Sequence, residues 1–239
     1  MAQSKLGTHQ ERTILLWPWS IPGHKKASLK GVLWSRKYSS FYLMISWTLV
    51  ALFGFASNRD CDTSWQLSLL CDQAIWLIKL KTEPLTFMQS LITSAWIHNG
   101  LEHLLFVTFF GVILIVQSFE AHYGTRRTVL IFFASHTLIG ITYALIFNIG
   151  LTWWPDSTFI GYGFERNWMG GSVGFFALIG AFSVLHQKGW ILFITAAAFE
   201  LINHFVLGTS IHISMIHLLC LLYGILFSRW NPLPPKNID

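Results

Sequence analysis

The sequence predicts an all-α polytopic membrane protein with six transmembrane helices packed as one bundle. Three observations carry that expectation. First, 53% of the 239 residues are hydrophobic and only 11% are charged, against roughly 25% charged in soluble domains. Second, six apolar runs, at about 40–57, 102–119, 127–149, 169–187, 189–207 and 211–228, approach the ~20 residues that cross hydrocarbon. Third, lysines and arginines concentrate on one side of those runs, as cytoplasmic loops require.

The first 39 residues form a basic tail. Trp17-Pro18-Trp19 and Pro22-Gly23 argue against a continuous helix, and the tryptophans and lysines suit a membrane interface. No short apolar core followed by a small-residue cleavage site marks a signal peptide. The membrane domain is expected over 40–228. The connection 58–101 after the first span is long and carries Trp65, Trp76 and Trp96. It reads as external, lying partly in the interface as short amphipathic helices. Cys61 and Cys71 share it, and in an oxidising compartment they would close a small loop. The second span begins with polar residues and closes with Glu120 and Gly124 beside Arg126 and Arg127, a helix terminus and turn. The external segment 150–168 after the third span holds Trp153, Trp154, Pro155 and Trp168. The fifth span carries Glu200, Asn203 and His204; Glu200 and His204 are i, i+4 neighbours, placed to pair. Cys220 in the sixth span reads as a small packing residue. The tail 229–239, with Asn231-Pro232-Leu233-Pro234-Pro235, reads as extended.

Placing both termini in the cytoplasm puts twelve of the sixteen basic residues there and leaves Arg59, Lys79, Lys81 and Arg166 outside. The net charge of +5 then reads as a topology signal and an attraction to anionic lipid. The basic residues form no aromatic-interleaved patch, so nucleic acid is not an expected partner.

Two stretches carry candidate chemistry. Gly170-Gly171-Ser172-Val173-Gly174 opens the fourth span. A serine there most commonly caps a helix, but the glycines allow close approach, and N–H groups at a helix start can hold an oxyanion. His217 lies about seven residues into the sixth span, ~10 Å deep at 1.5 Å per residue, with Cys220 and Gly224 on its face at +3 and +7. A histidine bonded within the bundle is the plain alternative. Both spans run from outside to inside, so Ser172 and His217 reach compatible depths and a nucleophile–base dyad is feasible. Polar groups at such depth are costly and usually functional. A third cluster is His98-Asn99-Gly100-Leu101-Glu102-His103. Its histidines are five apart, a poor spacing for two metal ligands on one helix face, and the zinc-protease motif is absent. An intramembrane aspartyl mechanism is not expected, because every aspartate falls in a loop or tail. No metal or cofactor is called for.

These residues resemble the rhomboid family of intramembrane serine proteases over 93–227. The resemblance rests on His98 with His103-Leu104, on Glu120 and Gly124, on Gly170-Gly171-Ser172 followed by Ala177, Leu178 and Gly180, and on His217 with Cys220 and Gly224. It implies a six-helix bundle around a water-filled cavity open to the outer side. Ser172 would be the nucleophile and His217 its general base, with no third acidic member. Phe176 would pack on the histidine ring, and His103 with backbone amides near Gly170, Gly171 and Ser172 would hold the oxyanion. Two positions depart from the family pattern. Val107 stands where an asparagine donor is common, with Thr108 turned about 100° away, and Val173 follows the serine in place of glycine. The implied partners are the bilayer and a substrate protein with a transmembrane segment. Two rivals stand beside this reading: a rhomboid-like protein that binds membrane clients without cutting them, and a small transporter using Glu200 and His204. No visible inverted repeat supports the transporter.

Overall fold

The computed structural model describes residues 13–21, 28–56 and 70–230. The described chain is helical, with one isolated antiparallel bridge between Ile75 and Trp168. In chain order the elements are α1 (Leu29–Ser35), α2 (Lys37–Phe53), α3 (Pro84–Thr93), α4 (Leu101–Tyr123), α5 (Thr125–Trp153), α6 (Thr158–Phe164), α7 (Ser172–Leu185), α8 (Gly189–Phe205) and α9 (Ile211–Trp230), with single turns at Lys79–Thr82 and Ser94–Trp96. Proline placement follows from its missing N–H and fixed φ: Pro84 opens α3, and Pro155 lies just beyond α5.

Leu101–Tyr123, Thr125–Trp153 and Ile211–Arg229 are long and apolar enough to cross a membrane. Large apolar side chains such as Phe109, Phe110, Ile146, Ile149, Trp190 and Ile194 are exposed on the helix exteriors. So broad an apolar exterior suits lipid, not water. Helix α2 and helix α8 have 17 residues each and α7 has 14. At 1.5 Å per residue, α7 is about 21 Å long, short of the ~30 Å hydrocarbon layer. The apolar run starts near 169, and the helix proper begins at Ser172, the serine expected at or near the first helical position. Before it, Gly170 has φ 103° and its N–H donates to the Ser94 carbonyl at 2.8 Å, and Gly171 forms the turn into the helix.

Helix α7 can be short because it meets protein on every side. Every residue from 172 to 182 is buried, and α4, α5, α8 and α9 all pack against it. The α7–α9 crossing is the tightest. A Cβ on Gly180 would collide with the Leu221 carbonyl, and one on Gly224 with the Ala177 carbonyl. Small residues let the backbones close to this distance, as membrane helices without a hydrophobic driving force require. Cys220 is free and buried in the same contact.

Glu120 is structural, in keeping with its place at a helix end. Its carboxylate accepts from the Tyr38 and Ser39 N–H groups at 2.8 and 2.9 Å, from Ser39 Oγ at 2.7 Å and from Thr125 Oγ1 at 2.7 Å. It thus caps the start of α2, where unpaired N–H groups and the helix dipole favour a negative charge, and ties it to the α4–α5 turn. Glu120→Ala strands these donors in a buried place, so a loss of about 3 kcal/mol is expected, read as an earlier thermal unfolding transition in detergent.

The connections from α2 to α4 and from α5 to α7 hold the expected short helices, α3 in the first and α6 in the second. The N-terminal segment 13–21 packs on the bundle: Leu16 N–H donates to Ser118 Oγ at 2.9 Å, and Arg36 donates to the carbonyls of Trp17 and Ser20. Trp17 and Trp19 stack on each other and stay exposed. Cys71 is held in a disulfide; Cys61, the partner the sequence offers, lies outside the described residues.

Candidate active site

The site is built where three chain segments meet at one end of the bundle. The non-helical run 167–171 is fixed at both ends. Trp168 exchanges backbone hydrogen bonds with Ile75 at 2.8 and 2.9 Å, and Gly170 is tied to Ser94. At Gly171 a side chain would strike the Tyr42 hydroxyl, which itself donates to the Ala95 carbonyl at 2.6 Å. Ser172 then starts α7 with its side chain placed by that anchored run, not by a cap bond, since the cap position is Gly171.

Ser172 Oγ lies 3.0 Å from His217 Nε2. Both residues are buried, at 6% and 7% exposure. The Phe176 ring, one turn below the serine, stacks on the His217 ring with centroids 4.2 Å apart and planes 8° from parallel. That contact leaves the imidazole little freedom to rotate. Its far nitrogen is also engaged: His217 Nδ1 lies 2.8 Å from Glu200 Oε1.

The last contact corrects two expectations. The resemblance implied no third acidic member, yet a carboxylate stands on the histidine. The i, i+4 pair of Glu200 with His204 does not form either. His204 Nδ1 instead meets the Thr209 carbonyl at 2.9 Å, because α8 turns Glu200 toward α9 and leaves His204 at its frayed end.

Ser172 and His217 open into a cavity of about 270 Å³ that His103, Asn99, Asn203, His136 and Arg166 also line. His103 presses on the backbone of Gly170 so closely that any side chain there would collide with its ring. It is thus in the cavity beside the start of α7, whose first N–H groups have no acceptor within the helix. His98 does not line it. It stands behind His103, rings 5.0 Å apart, and burial, followed by the adjacent His103, pushes it down to about 3. His98 is therefore a neutral support at physiological pH. Among the described residues no cluster of three or more metal-binding side chains occurs.

Val107 is buried in the core and lines no part of the cavity. Thr108 Oγ1 accepts from Trp47 Nε1 at 3.2 Å, also away from it. The stretch Val107–Val116 is wound as π-helix, which shifts side chains around the axis from the α-helical register. Neither Val107 nor Thr108 thus lines the cavity, in keeping with the donor expected to be missing at that turn of the helix. Asn99, just before α4, is the amide that reaches the cavity, as does Asn203 from the end of α8. His136, whose Nε2 lies 2.9 Å from Ser94 Oγ, and Arg166 were likewise not anticipated as cavity residues. Arg166 is the one with a sequence signal, as a basic residue in a segment read from the sequence as external and acidic.

Chemically, the arrangement offers a hydroxyl, a base 3.0 Å from it, donors for a developing anion and a cavity beside them. Comparison of the chain with family models, with characterised proteins and with solved structures finds no match.

Proposed function

We propose that the protein is an intramembrane serine protease that cuts a substrate protein within or beside a transmembrane segment. The Ser172 Oγ to His217 Nε2 contact of 3.0 Å, inside the cavity, is the observation that carries the reading. Ser172 Oγ attacks the scissile carbonyl while His217 Nε2 takes its proton. Negative charge on the carbonyl oxygen meets His103 and the N–H groups opening α7, donors already in place before reaction. The imidazolium returns its proton to the leaving amine. Water from the cavity then attacks the acyl-enzyme, with His217 again the base.

In the same reading the six apolar helices span the bilayer and both termini are cytoplasmic. The cavity residues of α4, α8 and α9 belong to the ends that lie away from Arg126, Lys188 and Arg229, and those of α5 to its middle. The positive-inside rule would thus place the cavity on the outer side. A protein that only binds membrane clients needs neither a paired serine nor an oriented base. The transporter reading loses its proposed Glu200–His204 pair.

The test is labelling of the full-length protein in bilayers with a serine-directed fluorophosphonate, with the adduct located by peptide mass spectrometry. A single adduct on Ser172 is expected; absence of any adduct there, in protein that is folded, overturns the reading. His103→Ala is expected to slow the labelling by roughly 10²–10³-fold, the usual effect of removing one oxyanion donor. A rate within a few-fold of wild type would move the oxyanion site to other groups.

A further inference from the structure

We propose that Glu200 is the third member of a Ser172–His217–Glu200 triad, a positioning residue that fixes the tautomer of His217 and stabilises its protonated form. The proposal rests on Ser172 acting as the nucleophile. Its geometry is independent of any resemblance: Ser172 Oγ to His217 Nε2 is 3.0 Å, and His217 Nδ1 to Glu200 Oε1 is 2.8 Å. The three side chains come from three different helices, α7, α9 and α8, which pack against one another.

The roles follow from hydrogen-bond chemistry. A neutral imidazole carries its proton on one nitrogen, chosen by what the other meets. A carboxylate only accepts, so an ionised Glu200 forces the proton onto Nδ1. That leaves the Nε2 lone pair facing Ser172 Oγ, the arrangement a general base needs. When Nε2 takes the serine proton, the ring becomes a cation held against an anion at a buried position. The pair therefore gains most at the step where charge appears, which is the condition for an interaction to speed a reaction.

A purely structural role fits the surroundings poorly. Glu200 is fully buried, and its Oε2 has no hydrogen-bond partner among the described residues. A carboxylate held for stability would be expected to satisfy both oxygens, since a half-satisfied buried anion is costly. Glu120 in this same protein shows that pattern, with both oxygens bonded. At Glu200 the neighbouring Ser214 hydroxyl donates to the backbone carbonyl, not to the carboxylate. The one strong interaction of the side chain is with His217.

Two measurements on the full-length protein test this. The first is the rate of fluorophosphonate labelling of Ser172 in wild type, Glu200→Gln and Glu200→Asp. Glu200→Gln keeps the volume but can donate its amide to Nδ1, which favours the wrong tautomer. A fall of at least ~10²-fold is expected, approaching the ~10⁴ seen when a triad acid becomes an amide. Glu200→Asp keeps the charge and should recover at least about tenfold over Glu200→Gln, a rescue that loss of packing alone would not give. The second measurement needs no variant: the ¹⁵N shifts of the His217 ring in wild-type protein. A proton on Nδ1 and a bare Nε2 are expected. Labelling of Glu200→Gln at the wild-type rate overturns the role of Glu200 while leaving Ser172 as nucleophile. So does a wild-type ring with its proton on Nε2, even where the variant fails to fold. A wild type that labels nowhere overturns the serine chemistry and the triad together.

Discussion

Ser172→Ala is expected to lower cleavage of a transmembrane substrate by roughly 10⁶-fold, the scale of losing a serine nucleophile, while the protein folds as before. The structural change is one oxygen. What it leaves is His217 Nε2 without its 3.0 Å partner, at a cost of about 1 kcal/mol. The cavity, the Phe176 stack and the Glu200 contact all survive. His217→Ala should abolish cleavage equally but is a poorer experiment. It strips Glu200 of its strong partner at a fully buried position, and an orphaned buried charge costs about 3–5 kcal/mol. Loss of activity there is mixed with loss of fold. The double variant should be no less active than Ser172→Ala alone, because the two side chains act as one unit. Cleavage at an undiminished rate by folded Ser172→Ala protein would rule out the mechanism, whatever the His217 variant does.

The division between what was legible in the sequence and what was not follows distance along the chain. Composition and apolar runs located the helices, because lipid imposes one rule on every residue of a span. The relation of Ser172 to His217 was legible as depth: both lie near the starts of apolar runs that enter from one side, and both meet the cavity. Glu200 was seen but misassigned. Within one helix the i, i+4 neighbour is visible, so the sequence offered His204. The actual partner is 17 residues away on another helix, and no local spacing encodes how α8 rotates against α9. The same limit hid Asn99. Its place in the cavity depends on the turn into α4, which no spacing in the sequence encodes. Ser172 was legible as the start of α7 from the glycines before it; what was not legible is how the chain reaches it, through the positive φ of Gly170 and its tether to Ser94.

Gly224→Val is expected to be among the most damaging single changes to the fold, and it should silence the active site from a distance. Gly224 is on α9 about two turns beyond His217. A Cβ at this position would overlap the Ala177 carbonyl of α7 and press on the Ala181 amide. The obstacle is backbone, so no rotamer change relieves it. The helices must separate, and overpacking of this kind costs about 3 kcal/mol or more. Gly180 makes the reciprocal contact with the Leu221 carbonyl, so separation at one glycine undoes the other. Ser172 rides on α7 and His217 on α9. Pushing the helices apart by about 1 Å would stretch the 3.0 Å contact beyond hydrogen-bond range, and misplacement on that scale costs about 10²-fold in rate. Gly161→Ala is the control, since a Cβ there meets nothing within 4 Å; it should leave stability and labelling unchanged. The expected readouts for Gly224→Val are a lower unfolding temperature in detergent and loss of Ser172 labelling even in the fraction that remains folded. Wild-type stability in this variant would mean that α7 and α9 do not cross on these glycines. The shared crossing would then not be what sets the distance between nucleophile and base.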